Sequence, residues 1–341
     1  MARRVTIVDV AARAGVAISS ASSALNGRSG VSERTRSRVR QAADELGYVP
    51  SLRARSLSAK RAFTVGLVVQ RNVDVLESDP FFGAFIGGIE EVLAADGYAL
   101  VLQVGSDERQ TLGRYRELAA NNRVDGVFLN ELQVDDPRIA LLTELGMPAV
   151  AINSDPALAS DFPSARQDGT RGVRDAVDLL VGLGHARIAH VAGPEQFLHT
   201  WQRRRAWHDA VADSGRTPGR VVTGDFTYES GRRAADELLT GPDRPTAIVC
   251  ANDLMAVGLI MRAEEIGLRV PQDLSVTGFD GIALATYLRP RITTVQTSPR
   301  ALARAAATLL LRRIAGESVE DVEIAPAALV VRESTAPPPA A

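Results

Sequence analysis

From Phe63 onward, short apolar runs suited to strands alternate with helical stretches, and this alternation constrains the fold more than any other feature of the 341 residues. T-V-G-L-V-V-Q, Y-A-L-V-L-Q-V, G-V-F-L-N and P-A-V-A-I-N form one set of buried strands. R-I-A-H-V-A, G-R-V-V, T-A-I-V-C-A and L-S-V-T-G-F form a second. Strand–helix alternation implies parallel sheets covered by helices. Two such sets predict two lobes with a cleft between them. The single cysteine, Cys250, cannot close an internal disulfide and rules out a multi-cysteine zinc site. Its use favours a reducing, cytoplasmic setting. No apolar run reaches the roughly 18 residues of a membrane span. Asp9 and Arg13 interrupt any signal-peptide core after Arg3-Arg4.

The net charge of −2 is unevenly spread. Residues 1–62 hold 12 Lys or Arg against Asp9, Glu33, Asp44 and Glu45, so this stretch is +8 and the remainder −10. A basic head on an acidic body points to a polyanion that touches one end. A solvated basic tail would explain the charge alone, but the head is also patterned as helices. Thr6 can cap a helix carrying Ile7, Val10, Ala11 and Ala14, which Gly15 ends. A second runs from about Ala17 to Leu25, and a third follows Ser32 and stops at Gly47. Helix, glycine turn, helix is the helix-turn-helix pattern.

V-T-I-V-D-V-A-A-R-A-G-V, then L-N-G, V-S-E-R-T-R and L-G-Y-V-P resemble the head of the lactose/galactose repressor (LacI/GalR) family. The resemblance extends to about Glu333. It implies a helix-turn-helix DNA-binding domain at 1–50 and a hinge at 51–62. It further implies a two-lobed, periplasmic-binding-protein-like α/β effector and dimerisation domain at 63–334. The lobes expected are 63–164 with 296–326, and 165–292 with 327–334, leaving 335–341 as a disordered tail. In such a family the second helix lies in the major groove. The base-facing positions carried over are Ile18, Ser19 and Ser23, joined on the DNA-facing side by Thr6, Ser20, Asn26 and Arg34. Ser23 stands where most relatives have arginine, so the strongest bidentate contact to guanine is missing. In the hinge, the resemblance assigns Ala54 to the DNA-facing side and Leu57 to a wedge in the minor groove. A flexible linker is the alternative for that segment.

No phosphate loop, dinucleotide loop or H-E-x-x-H motif occurs. The four histidines show no metal spacing. No catalytic residue, metal or cofactor is therefore expected. Ligands of open α/β sheets bind at the carboxyl ends of strands, where Phe81, Phe82, Asn153, Asp168, Phe226, Asn252, Asp253 and Asp280 fall. Aromatic faces beside Asn, Asp and Arg suit a polyol. The resemblance places Arg203, Phe226, Asn252 and Asp280 on effector-contacting positions, with Phe81, Phe82, Asn153 and Thr297 completing the site. It makes Asp253 structural. The expected partners are a near-palindromic double-stranded operator, a carbohydrate-like effector and a second copy of the chain. A sugar-binding transport component and a sugar kinase or dehydrogenase share the α/β body, but they would need a signal peptide or a nucleotide loop.

Overall fold

The computed structural model describes residues 5–25, 30–48, 56, 59, 61–71, 79–155, 162–241 and 243–339. The chain divides into two compact units, residues 1–63 and 64–341. In the smaller unit three helices, α1 (Ile7–Ala14), α2 (Ile18–Leu25) and α3 (Glu33–Leu46), pack around Val10, Ala11, Ala14, Ala21, Ala24, Val39, Ala42 and Ala43. The core is nearly all alanine and valine, so the helix axes can approach closely. Asp9 closes the start of α1, accepting from both the Thr6 N–H and the Thr6 hydroxyl at 2.8 Å. Gly15 ends α1 in the left-handed region at φ 62°, and the Val16 N–H returns to the Ala11 carbonyl at 3.0 Å. This is the tight turn expected between α1 and α2. Arg38 of α3 donates to the Ala14 carbonyl and so ties the third helix to the turn.

In the larger unit the strands are β1 (Thr64–Gln70), β2 (Ala99–Gly105), β3 (Gly126–Leu129), β4 (Ala149–Ile152), β5 (Ser164–Arg166) and β6 (Ile188–Ala192). They continue as β7 (Val221–Thr223), β8 (Ala247–Cys250), β9 (Ser275–Asp280), β10 (Thr293–Gln296), β11 (Val322–Glu323) and β12 (Ala328–Val330). One sheet runs β11-β5-β4-β3-β1-β2 with every pairing parallel. The other runs β12-β10-β9-β8-β6-β7, parallel except where β12 lies antiparallel to β10. Each residue of β3, β4, β6 and β8 is buried, which is why these strands read as continuous apolar runs rather than alternating ones. Helices Pro80–Asp96 and Pro299–Ile314 cover one face of the first sheet through Phe85, Ile89, Leu93, Leu302 and Ala306. In the second lobe, helices Tyr228–Leu239 and Asp253–Glu265 share one core. Trp207 anchors another, under helices Thr170–Gly182 and Leu198–Asp213. No helix among the described residues is long and apolar enough to cross a membrane.

The chain passes between lobes after β5, after β10 and between β11 and β12. The lobe limits expected from the sequence therefore shift slightly. Residues 165–166 belong to the first sheet through β5, and Gln296 to the second through β10. The tail requires a larger correction, because residues 335–339 are not disordered. The Ala336 carbonyl accepts from Ser275 Oγ at 2.9 Å, and its N–H donates back to Ser275 Oγ at 3.0 Å. His185 completes the clasp, with Nδ1 2.9 Å from Thr246 Oγ1 and Nε2 2.9 Å from the Ala336 oxygen. A run of Pro and Ala reads as disordered by composition, but backbone groups that hydrogen-bond to buried Ser275 and His185 hold it in place. Residues 340–341 lie outside the described residues.

Asp253 has the structural role expected of it. Its carboxylate, fully buried, accepts from Thr294 Oγ1 at 2.6 Å and from the Ile282 N–H at 2.8 Å, joining the second lobe's helix to two strand ends. Burial raises its pKa to about 6, against the lowering effect of those hydrogen bonds. A carboxyl whose folded pKa is raised contributes stability that is fully present below about pH 4 and is lost as pH rises through about 6. Asp253→Asn should abolish that slope in thermal melts taken between these limits. It should also cost about 1–3 kcal/mol, because one of the two donors then faces an amide N–H₂.

Candidate DNA-binding and effector sites

On α2, Ser19 and Ser23 lie one turn apart and point away from buried Ala21 and Ala24. Ile18 at the start of the helix is 50% exposed. Thr6 and Arg34 are exposed, and Ser20 and Ser23 are half-buried. The second helix thus offers an Ile-Ser-Ser edge with no cation on it, while exposed arginines stand on α3. Asn26, Ala54 and Leu57 lie outside the described residues. The expected consequence is DNA affinity carried mainly by phosphate contacts. Binding of the full chain to a duplex should fall steeply with salt, log K changing by about −0.9 per phosphate neutralised against log salt. A flat slope in a fluorescence-anisotropy titration would contradict an electrostatic contact.

In the larger unit the strand ends of both lobes converge on one cavity. It is lined by Arg71, Asp79, Phe81, Phe82, Phe85, Asn130, Glu131, Leu132, Ile152, Asn153, Leu198, His199, Arg203, Phe226, Asn252 and Asp280. Seven of the eight effector residues expected from the sequence are in this set. Thr297 is not, and it lines an adjoining hollow while its hydroxyl donates to the Asp280 carbonyl at 3.1 Å. Four lining residues, Glu131, Asn153, Phe226 and Asp280, hold positive φ angles of 48°, 54°, 69° and 103°. Such backbone costs of order 1–3 kcal/mol per residue and concentrates where function demands it. Phe226 reaches the cavity because Gly193 makes room, since a Cβ there would sit 2.1 Å from the ring.

The expected residues do not all have free polar groups. Arg203 donates to the Ala251 carbonyl at 2.7 Å, and its guanidinium lies 3.6 Å over the Phe279 ring. Burial lowers its pKa, and Asp280 and Asp79 oppose that shift. Asn252 caps helix Asp253–Glu265 by accepting from the Met255 N–H at 2.9 Å, and its amide donates to the Phe226 carbonyl at 2.9 Å. It is first a scaffold for Phe226. Asn153 accepts from the Gln167 N–H at 2.9 Å, and the Gln167 side chain in turn bonds the Ala325 carbonyl and the Ser298 N–H, both at 2.9 Å. Gln167 therefore laces the three crossovers together, with Asn153 facing both hinge and cavity. Phe82 is almost wholly core.

Sequence reasoning missed five polar residues of this wall. Arg71 donates through Nε to Glu131 Oε1 at 2.6 Å and lies 4.8 Å from the Phe226 centroid and 5.0 Å from that of Phe197. Its side chain is 7% exposed, so it is largely buried where it crosses between lobes. Asp79 caps helix Pro80–Asp96 through the Phe81 N–H at 3.0 Å. Asn130, 5% exposed, leaves both its amide nitrogen and its oxygen unpartnered, as does Glu131 its Oε2. His199 stacks between Phe197 and Phe226, each at 5.5 Å. Burial, reinforced by Arg203 and Arg71, pushes the His199 pKa well down, so it is neutral and can both donate and accept. Burial raises Asp79, Glu131 and Asp280, the last strongly, against the nearby arginines. Only Asn130 had a signal, as the last residue of a buried strand. Arg71, Asp79 and Glu131 stand in loops and His199 in the first turn of helix Leu198–Asp213, and no local pattern announces that they converge.

A helix-turn-helix unit joined to a two-lobed body with a polar interlobe cavity defines a class, the DNA-binding regulators controlled by a small molecule. The "Bacterial regulatory proteins, lacI family" model matches residues 6–51, and the "Periplasmic binding protein-like domain" model matches 177–335. The chain is 36% identical to the transcriptional regulator CelR of Thermobifida fusca, over 97% of this chain and 98% of that one. It is 32% identical to the transcriptional repressor CytR of Escherichia coli K12, over 97% and 96%. Among solved structures, a CelR–cellobiose complex superposes with TM-score 0.74 at 35% identity, covering 97% of this chain and all of that one. A lac repressor dimer bound to operator and an anti-inducer gives TM-score 0.84 at 29% identity, covering 98% and 100%. The chain belongs to the LacI family of bacterial regulatory proteins. It is a DNA-binding transcriptional regulator and not an enzyme.

Proposed function

We propose that this regulator acts in the cytoplasm as a homodimeric repressor at near-palindromic operators, and that a neutral carbohydrate bound between its lobes controls it. The observation that carries the sugar reading is the composition of the cavity wall. Asp79, Glu131 and Asp280 stand around the two guanidinium groups, those of Arg71 and Arg203, and Arg71 is already paired with Glu131, so an anionic effector would meet no cluster of unpaired cations on this wall. The unpartnered amide of Asn130 needs a ligand that both donates and accepts, as neighbouring hydroxyls do. The half-buried ring of Phe81 lines the cavity as an apolar surface for the C–H face of a sugar ring, since stacking on Phe197 and Phe226 fills both faces of His199. The likeness to a regulator solved with cellobiose supports the same chemistry. Phe81, Phe82, Asn153, Asn252 and Thr297 shape this site, and Arg203, Phe226 and Asp280 touch the effector. A ligand moves the DNA-binding equilibrium by its differential affinity for the two states of the cleft. Release of the full chain from operator DNA, titrated with cellobiose, other neutral di- and monosaccharides and sugar phosphates, tests the reading. Neutral sugars should act and sugar phosphates should not. A response confined to phosphates would overturn it.

A further inference from the structure

The inner cavity is small, about 80 Å³, and it is closed on one side where the lobes touch. There the Leu198 N–H donates to the Leu132 carbonyl at 2.8 Å, Phe197 pairs with Gln133, and Arg71 covers Phe197 and Phe226. On the other side it continues. A neck lined by Asn153, Gln167, Gln202 and Thr297 shares Asn153, His199, Arg203 and Asp280 with the inner cavity. The neck opens into a hollow of about 430 Å³, with which it shares Asn153, Gln167 and Gln202. An effector longer than the inner cavity must run this way.

The outer hollow sets one exposed aromatic face among polar and charged groups. Trp201 lines it and is 47% exposed, even with the Arg205 guanidinium 5.3 Å from its ring centroid. An exposed indole is a costly surface for a folded chain to present. Around it stand polar groups with spare capacity. The Gln202 amide makes no hydrogen bond among the described residues, and Asp168 uses one carboxylate oxygen on Thr170. Asn153 keeps its amide nitrogen.

We propose that this hollow is a second subsite, and that the effector is an oligosaccharide with one ring in the inner cavity and the next stacked on Trp201. The inference rests on the sugar reading of the inner cavity. It assigns to Trp201 the selection of chain length, separately from the inner residues that select a sugar at all.

The chain has two tryptophans, and Trp207 is 1% exposed in the core. A change in tryptophan emission on binding therefore reports Trp201. The experiment titrates the full chain with glucose, cellobiose and cellotriose, and with maltose and maltotriose, following both emission and heat. The expected result is that one linkage series binds with affinity rising from one ring to two. Emission should shift only for sugars of two or more rings. Trp201→Ala should weaken the longer sugars about tenfold while leaving the single ring unchanged, and Trp201→Phe should restore most of the loss. Binding independent of chain length and of residue 201 overturns the subsite while the sugar reading stands. If neither these series nor the other neutral saccharides tested for operator release bind, the sugar reading falls and the subsite falls with it.

Discussion

Arg138→Met is expected to destabilise the effector-binding body by about 3–5 kcal/mol, with a fall in melting temperature on the order of 10 °C. Arg138 and Asp136 form an ion pair with side chains 2% and 0% exposed. The guanidinium grips the carboxylate through Nε at 2.9 Å and Nη2 at 2.6 Å, and Nη2 also donates to the Glu131 carbonyl at 3.0 Å. Asp136 in turn accepts from the N–H groups of Gln133 and Arg138, each at 3.0 Å. Burial pushes the Asp136 carboxyl up, but the Arg138 fork and these N–H donors outweigh it and hold the pKa below its usual value. A depressed carboxyl contributes stability that is present above the unfolded pKa, near 4, and lost as pH falls below it. The wild-type chain should therefore lose stability in acid, and Arg138→Met should already lack most of that contribution at neutral pH. Asp136→Leu combined with Arg138→Met should recover part of the loss, because no charge is then left buried alone. Thermal and chemical melts of the wild type and the two variants decide it. A loss below 1 kcal/mol in the single variant would mean that water or a neighbouring group satisfies Asp136. The pair also positions the segment bearing Glu131, so the variant should weaken effector binding at temperatures where it remains folded.

Arg203→Ala should weaken the effector by about 1.5–3 kcal/mol, roughly 10- to 150-fold, while operator binding persists. Within the run Arg203-Arg204-Arg205 the three arginines differ sharply. Arg204 and Arg205 make exposed ion pairs with Glu195 and Asp209, each at 3.5 Å, of the kind worth little. Arg203 points into the cleft, held by the Ala251 carbonyl and the Phe279 ring. It lines the cavity together with Asp280. Arg203→Lys should recover little, since an ammonium cannot lie flat on Phe279 while reaching the ligand. Operator release measured against effector concentration reads the effect, with Arg204→Ala as the comparison. Equal midpoints for the two alanine variants would remove Arg203 from the site.

How much was legible in the sequence differs between elements. The three head helices fall within one residue of their expected limits, because Thr6, Gly15, Ser32 and Gly47 are local signals that act through the backbone next to them. The parallel sheets were equally legible, since a strand covered on both faces must be apolar along its length. Cys250, the last residue of β8, is buried, with its thiol pKa pushed up by that burial.

The candidate site divides along the same line. Phe226, Arg203 and Asp280 were legible through resemblance to a family, a record of position that needs no geometry. Arg71 and Asp79, Glu131, and His199 come from three separate stretches of the chain, and they meet only because β1, β3 and the helices starting at Pro80 and Leu198 bring their ends to one cleft. The hydrogen-bond partners of Asn153 and Asn252 are likewise set by folding, and they turn two expected ligand contacts into parts of the hinge and of the Phe226 mount. The tail shows the same limit, since S-T-A-P-P-P carries no apolar pattern, yet Ser275 and His185 clasp its backbone. Local propensity, capping and burial period are written in neighbouring residues, so the sequence by itself determined the elements, the two-lobed α/β class and the basic head. Desolvated charge, strained backbone and the pairing of orphaned polar atoms depend on distances between residues remote in sequence, and only the tertiary structure decided those.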